Sequence, residues 1–502
     1  MQTGYDTGGN LIFRTKKNMN AFRNRILKSC LLLIFLACAG NAFYGQTPDN
    51  AIDKQIDRLF SDYNQATPGA AVAVVRNGKV IFKKGYGAAN LEYDIPITTK
   101  TVFQIASVSK QFTAFSIYLL EKQGRISLED DVRKYLPELP DFGKTVRIKH
   151  LLAHTSGIRD QAALLTLAGW RMDDVTTTPH VLRLISRQKE LNFEPGSRYL
   201  YSNSGYTLLA EIVRRASGGS FAEFAKKNIF VPLGMTDTQF YDDFERIVKN
   251  RADSYELENG AYKKKSLSNS ADGASNLYTT VEDLAKWVLN FENPKVGDAE
   301  LIKRFNEPSL LNNGERVVWG ISDGEPGYHA KGQIHWNYRG LHLLSHGGHA
   351  AAFRSFLGRF PDRHLAVIAL SNDEHYQNFN TSIRIAEFYL KDDLKPNPPA
   401  DTPAAPNKTA QKPNADLKDF AGRFYNEELD TAYNAKIVNG KLFLSHIRHG
   451  DIELTDAGKD KFSGRIEFPV EIEFVRGENG AVNGFRISNF GAKNVKFAID
   501  MF

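Results

Sequence analysis

The nine residues IASVSKQFT, Ile105 to Thr113, set a serine and a lysine three positions apart at the mouth of an apolar run. A serine hydroxyl is a poor nucleophile until a neighbouring base takes its proton, and a lysine can be that base when burial lowers its pKa. Ser107 and Lys110 could therefore make and break an acyl bond. The spacing alone is common, because a serine can cap a helix while a lysine reaches to water. Ser186 and Lys189 in ISRQKEL repeat it among charges. The first pair differs in its apolar setting, where a lysine is costly unless it has a task.

Acyl transfer also needs groups that pass the proton on and hold the substrate. PGSRYLYSNSGYTLLAEIV offers Tyr201 and Asn203 just before a helix expected to begin near Gly205. Alone they read as packing and helix capping, and Tyr376 with Asn378 repeat the pattern. LLSHGGHAAAFRSFLGRF offers His346-Gly347-Gly348 ahead of an expected strand, which alone reads as a tight turn with an incidental histidine. Two other chemistries are weighed and set aside. His329, His335, His342, His346 and His349 fall in one stretch but show no metal-ligand spacing and lack carboxylate or cysteine partners, so no metal is expected. GISDG, Gly320 to Gly324, fits the glycine-x-serine-x-glycine pattern, but GEPGYHAKG after it cannot supply the helix that motif requires.

These side chains need a frame to bring them together. Val108, Phe112, Phe115 and Leu119 recur at helical spacing, and Gly124 ends the pattern as a left-handed cap would. Ser107 then stands at a helix start with Lys110 on the same face, their side-chain roots about 5–6 Å apart. AAVAVVRNGKVIFKKGYG reads as two strands around the Asn77-Gly78 turn, long helical stretches follow, and LGRFPDRHLAVIALSN returns as strands. The sheet is thus expected to be closed by segments distant in sequence. Six prolines between Pro396 and Pro413 mark an interdomain linker. Beyond it, NAKIVNGKLFLSHI and VEIEFVRGENGAVNGFRISN alternate around Asn-Gly steps, which suggests a small barrel.

Serine-lysine, tyrosine-asparagine and histidine-glycine in that order resemble the penicillin-binding, class C β-lactamase-like family of serine hydrolases. IKHLLAHTSGI, FEPGSRYLYSNSGY and IFVPLGMTDTQF look like further phrases of that family. The resemblance implies an α+β fold: an antiparallel sheet flanked by helices with a helical lobe, here followed by a small lipocalin-like all-β barrel. The expected organisation is a signal peptide over 1–45, a hydrolase domain over 50–390, a linker over 391–417 and the barrel over 418–502. The resemblance also implies roles. Ser107 is the acylated nucleophile, Lys110 its base or proton relay, and Tyr201 carries the proton to the leaving group. Asn203 holds the substrate's acyl-side amide or orients Lys110. His346 and Gly348 line the substrate along an edge strand, and the backbone N–H groups of Ser107 and His349 form the oxyanion hole.

The chain departs from the pattern where true penicillin-recognising members have lysine-threonine-glycine. His346 is only partly charged near neutrality and is a weaker anchor for a carboxylate. Ala352 also stands before Phe353 where glycine is frequent. Both departures favour ester or D-amino-acid amide substrates over a β-lactamase or D-alanyl-D-alanine carboxypeptidase activity. A non-catalytic protein that binds cell-wall peptides is the alternative from another class, and retention of Ser107, Lys110 and Tyr201 together argues against it. No cofactor is implied, and the partner is a small-molecule or peptide substrate.

Charge and length fit an exported enzyme. The first 45 residues hold six basic residues and one acidic residue, ahead of CLLLIFLACAG, and read as a signal peptide cut near Gln46. Met19 supplies a more ordinary start. The apolar run is too short for a comfortable bilayer span, so no transmembrane segment is expected in the mature chain. FLAC faintly resembles a lipoprotein site ending at Cys38. Without this segment the formal net charge of +6 nearly vanishes, which leaves no basic field for nucleic acid. Both cysteines, Cys30 and Cys38, lie within it, so the mature chain must rely on its core, and 502 residues with 42% hydrophobic content can build one.

Overall fold

The computed structural model describes residues 50–322, 324–396 and 416–500. The expected signal peptide and most of the expected linker lie outside the described residues. The central sheet has eight strands. They are β1 (Ala70–Arg76), β2 (Lys79–Tyr86), β3 (Val318–Ser322), β4 (Glu325–Ala330), β5 (Gln333–Tyr338), β6 (Leu341–Ala350), β7 (Phe353–Phe360) and β8 (Leu365–Ser371). Their order is β3-β4-β5-β6-β7-β8-β1-β2, antiparallel throughout. Asn77 (φ 50°) and Gly78 (φ 74°) both take the left-handed conformation a two-residue hairpin requires, which joins β1 to β2. The first and last strands of the hydrolase region meet toward one side of the sheet, where β1 pairs with β8 from Ala70 with Ser371 to Arg76 with Leu365.

Both faces of this sheet are covered, and the period-two geometry of β1 shows how. Ala71, Ala73 and Val75 join one apolar core, while Ala70, Val72 and Val74 join another. The second core is closed by the first helix, α1 (Asn50–Leu59), through Ile56, and by α6 (Asn378–Leu390) through Ile383 and Leu390. The first core holds the helical lobe, including α2 (Lys110–Lys122), α4 (Asn203–Ser217) and α5 (Val281–Glu292). Phe112 and Phe115 of α2 pack against Trp287 of α5 with ring centroids 4.5 and 5.0 Å apart.

Two local expectations need correction. α4 begins at Asn203, two residues ahead of Gly205. His346-Gly347-Gly348 lies not ahead of a strand but inside one, β6, on an edge as the resemblance implied, and β6 pairs with β7 without a break from Leu344–Arg359 to Ala350–Phe353. Glycine pairs read as turns in sequence, yet a strand tolerates them where another backbone must come close. On its other side β6 pairs with β5 only as far as Ser345, so residues 346–350 form a free edge.

The C-terminal region is a nearly closed antiparallel barrel of nine strands. In chain order these are β9 (Gly422–Asn426), β10 (Thr431–Val438), β11 (Lys441–His446), β12 (Gly450–Glu453), β13 (Thr455–Gly458), β14 (Lys461–Arg465), β15 (Pro469–Arg476), β16 (Val482–Ser488) and β17 (Val495–Ile499). They are ordered β12-β11-β10-β9-β17-β16-β15-β14-β13. β15 alternates from Pro469 to Phe474, with Val470, Ile472 and Phe474 buried and Pro469, Glu471 and Glu473 exposed. Helix α3 (Gln161–Leu167) of the hydrolase region contributes Ala163, Leu164 and Leu167 to this barrel's own core. The described residues from 51 onward form one compact unit, and no helix among them is long and apolar enough to cross a membrane.

Candidate active site

Ser107 occupies a single 3-10 turn, Ala106–Ser109, immediately ahead of α2. Ala106 is held at φ 47°, a left-handed conformation that costs a residue with a Cβ on the order of 1–2 kcal/mol. The strain persists because the turn is fixed from several sides. The Ile105 carbonyl accepts from Ser355 Oγ at 2.7 Å, and the Ile105 N–H donates to Leu277. Gly348 closes the site from the β6 edge: a Cβ there would lie 2.4 Å from the Ile105 oxygen and 2.3 Å from Ser355 Oγ. Ser107 is left half-buried between buried neighbours.

Lys110, on the first turn of α2, has no exposed surface. Its Nζ lies 3.1 Å from Ser107 Oγ, 2.9 Å from Asn203 Oδ1 and 2.7 Å from the Ala274 carbonyl. The last two are acceptors only. A neutral amine has two N–H bonds and one lone pair, so if both bonds go to Asn203 and Ala274, the lone pair faces the serine. Burial lowers the lysine pKa to about 7, with the charge of Asp160 pulling the other way. Part of the population is then neutral near neutrality.

Tyr201 donates its hydroxyl to Ser107 Oγ at 2.9 Å. Burial raises its pKa well above the ordinary phenol value, so it keeps its proton. Nζ of Lys110 stands 4.9 Å from the Tyr201 ring centroid and 5.6 Å from that of Tyr206. Asn203 is fixed by Asp160, whose Oδ2 accepts from the Asn203 backbone N at 2.6 Å and from Nδ2 at 2.9 Å. Because a carboxylate can only accept, the amide NH2 must face Asp160 and Oδ1 must face Lys110.

Asp160 and the Ala274 carbonyl were not singled out by the sequence. Asp160 lies two residues beyond HTSGI, the end of one of the family-like phrases, and that proximity is the signal that could have found it. A backbone carbonyl such as that of Ala274 leaves no trace in residue identity.

His346 corrects an expectation. Its side chain is buried, with Nδ1 2.6 Å from the Gly347 carbonyl, so Nδ1 carries a proton and donates. Burial, reinforced by the charge of Lys110, lowers its pKa to about 4. The partial charge expected near neutrality is therefore absent. His154 and His329 complete a neutral layer behind Tyr201, with ring centroids 4.4 Å from His154 to Tyr201 and 4.8 Å between the two histidines. Burial holds both well below the usual imidazole range. His349 lies at the exposed rim of the same edge.

The other sequence patterns are dispersed. Ser186 donates to the Arg183 carbonyl at the end of its own helix, and Lys189 pairs with Glu427 at the surface. Ser322 ends the exposed strand β3, followed by β4 and no helix. His335 and His342 face each other at 2.9 Å, apart from the layer that contains His329. Among the described residues no three His, Cys, Asp or Glu side chains come together as a metal site would need.

Ser107, Tyr201, Asn203 and His346 open onto a cleft of about 910 Å³. Trp319, Trp336 and Phe356 give it a largely apolar wall. Among the described residues lining it, Arg354 alone carries a permanent positive charge, and that charge faces Glu374 at 3.2 Å.

A serine-lysine turn beneath a free strand edge, in a helix-covered antiparallel sheet, is the arrangement of a class of acyl-transferring serine enzymes. Residues 56–389 match the family described as Beta-lactamase, and the chain belongs to that family. It is 29% identical over 454 residues to Penicillin-binding protein 4* of Bacillus subtilis, covering 85% of this chain and 95% of that protein. Protein flp of Staphylococcus aureus is 30% identical over 334 residues, 64% of each chain. Among solved structures, the octameric penicillin-binding protein homologue from Pyrococcus abyssi superposes with a TM-score of 0.61 at 23% identity, covering 89% of this chain and 99% of that one. The D-amino acid amidase from Ochrobactrum anthropi gives 0.55 at 20% identity over 68% and 99%. These two likenesses speak to the fold.

Proposed function

We propose that the chain is an exported serine hydrolase that forms an acyl-enzyme on Ser107 and acts on esters or D-amino-acid amides that lack a carboxylate near the scissile bond. The observation that carries this reading is the triple contact of Lys110, which aims a lone pair at Ser107 Oγ when the amine is neutral. In the reaction, Lys110 takes the serine proton while Oγ bonds to the substrate carbonyl carbon, and the carbonyl oxygen becomes an oxyanion. The backbone N–H groups of Ser107 and His349 are the donors assigned to that charge. When the intermediate collapses, the bond to the alcohol or amine breaks. The leaving group takes a proton from Lys110 by way of Tyr201, which already touches Oγ. Water then repeats the sequence on the acyl-enzyme and releases the acid.

Substrate choice follows from the cleft's charges. Neutral His346 offers no ionic anchor, and the Arg354 cation is already held by Glu374. A carboxylate would lose its hydration there without a paired cation in return. The fold shared with a D-amino acid amidase is consistent with such substrates. The test is a matched pair of esters, one with and one without a free carboxylate, in wild type and in His346→Lys. Wild type should favour the neutral ester by about tenfold or more in kcat/KM, and His346→Lys should narrow that ratio. An unchanged ratio, or wild-type preference for the carboxylate at pH 8, would overturn the assignment of His346.

Export rests on the basic and apolar N-terminal segment. Mass spectrometry of the mature protein should find an N-terminus near Gln46, and a lipid-bearing Cys38 would contradict that cleavage.

A further inference from the structure

We propose that the C-terminal barrel is a positioning element for the catalytic lysine: its loop 489–493 holds the backbone of Asp160, whose carboxylate orients Asn203 and, through it, Lys110. The inference rests on the serine-lysine reading above and gives the barrel a part in the chemistry.

Asp160 stands where two duties meet. Its Oδ1 caps α3 by accepting from the N–H groups of Ala162 (2.8 Å) and Ala163 (3.1 Å), while its Oδ2 accepts both Asn203 donors. Burial pushes its pKa up, but three of these partners are backbone N–H groups that can only donate, and they favour the carboxylate on which the orientation of Asn203 rests. Any displacement of α3 moves the group that fixes the Asn203 amide.

What holds α3 is the barrel. A seven-residue helix is too short to be stable by itself and depends on packing. Its apolar face lies in the barrel core, and its last turn is tied down by Tyr433, which donates to the Leu167 carbonyl at 3.1 Å. At the other end the Asp160 N–H donates to the Gly491 carbonyl at 2.9 Å, an oxygen that also accepts from Asn192 Nδ2 at 2.9 Å. The approach is so close that a Cβ on Gly491 would lie 2.4 Å from the Asp160 Cβ. Arg159, the preceding residue, is buried and donates to Glu428 Oε2 at 3.1 Å and to the Lys493 carbonyl at 3.3 Å, both on the barrel side.

The charge environment of Lys110 makes this link measurable. The groups around its amine are Asp160, Tyr201, Tyr206, His154, His329 and His346. The tyrosines stay protonated and the imidazoles neutral, so Asp160 supplies the charge that favours the ammonium form. Moving Asp160 away should both misaim the amine and lower its pKa further.

The experiment uses the full-length chain and the second-order rate at which a fluorophosphonate modifies Ser107, followed against pH, so no substrate need be known. In wild type the rate should rise through an acid limb centred near 7. Gly491→Val should lower the plateau by about tenfold or more and move the limb to lower pH by at least about half a unit. Asp160→Asn keeps the size of the cap but loses the charge and should shift the limb the same way. Gly491→Ala serves if valine prevents folding, and Ile447→Ala, at a barrel position whose side chain is almost wholly exposed, should change nothing. A plateau and limb like wild type in Gly491→Val, or a slower rate with an unmoved limb, would overturn the inference. Labelling that persists in Ser107→Ala would instead show that the serine assignment itself had failed.

Discussion

Lys110 is the residue at which stability and chemistry oppose each other. Its pKa is about 7 in the folded chain against an ordinary 10.5, so between these values the unfolded chain binds more protons and folding stability rises with pH. The contribution is complete above about 10.5 and is lost as pH falls to 7, with a slope approaching about 1.4 kcal/mol per unit in that window. Wild type should therefore gain stability relative to Lys110→Met between pH 7 and 9, read as the difference in their unfolding midpoints. A constant difference would mean that the amine titrates normally. Lys110→Arg, which cannot become neutral, should lose turnover by about 100-fold or more, close to the alanine variant. Near-normal turnover in Lys110→Arg would remove the lysine as base. The lysine's identity was readable from sequence because a charge at the mouth of an apolar run is anomalous. Its partner Asp160 was marked only by its nearness to a family-like phrase, and Ala274 was not marked at all. Asp160 lies 43 positions from Asn203, and Ala274 acts through a backbone oxygen.

At the scale of elements, the site is a 3-10 turn pressed between α2 and the edge of β6. Gly348 permits the contact, and Gly348→Ala would set a methyl group 2.4 Å from the Ile105 oxygen. That variant should fold with a lowered melting temperature and lose activity by about 100-fold, since the turn carrying Ser107 must move. Unchanged activity would show that Gly348 does not control the placement of the nucleophile. The helical period of Val108, Phe112, Phe115 and Leu119 was legible because large apolar residues recur at every turn, although α2 is buried on all sides from Lys110 to Leu120. Taken alone, His346-Gly347-Gly348 reads as a turn, and only the family resemblance placed it along an edge strand, because the reason for Gly348 is the Ile105 backbone across the site, which local sequence does not contain. The charge state of His346 was misread for a similar reason: a side chain's pKa is set by burial, and burial here is made by distant elements.

At the scale of the whole molecule, the hydrolase fold and the barrel share one apolar core around α3. Composition made the barrel legible through its alternating strands and Asn-Gly turns, but nothing in it showed that a helix from the other region would fill its interior. Arg159 marks the join, because its buried guanidinium meets Glu428 across the two regions. Removing one member of such a pair leaves the other uncompensated, so Arg159→Ala should cost about 3–5 kcal/mol. Thermal unfolding with two separated transitions would then report the barrel leaving first, whereas a wild-type melting curve would show that the contact is dispensable. The most direct measurement on the intact protein is the site of covalent modification by a fluorophosphonate, mapped by peptide mass spectrometry. One label should be found on Ser107, rising in rate with pH through about 7 and absent from Ser107→Ala. A label on Ser322 or any other serine, or no label on the folded protein, would contradict the assignment of Ser107 as the nucleophile.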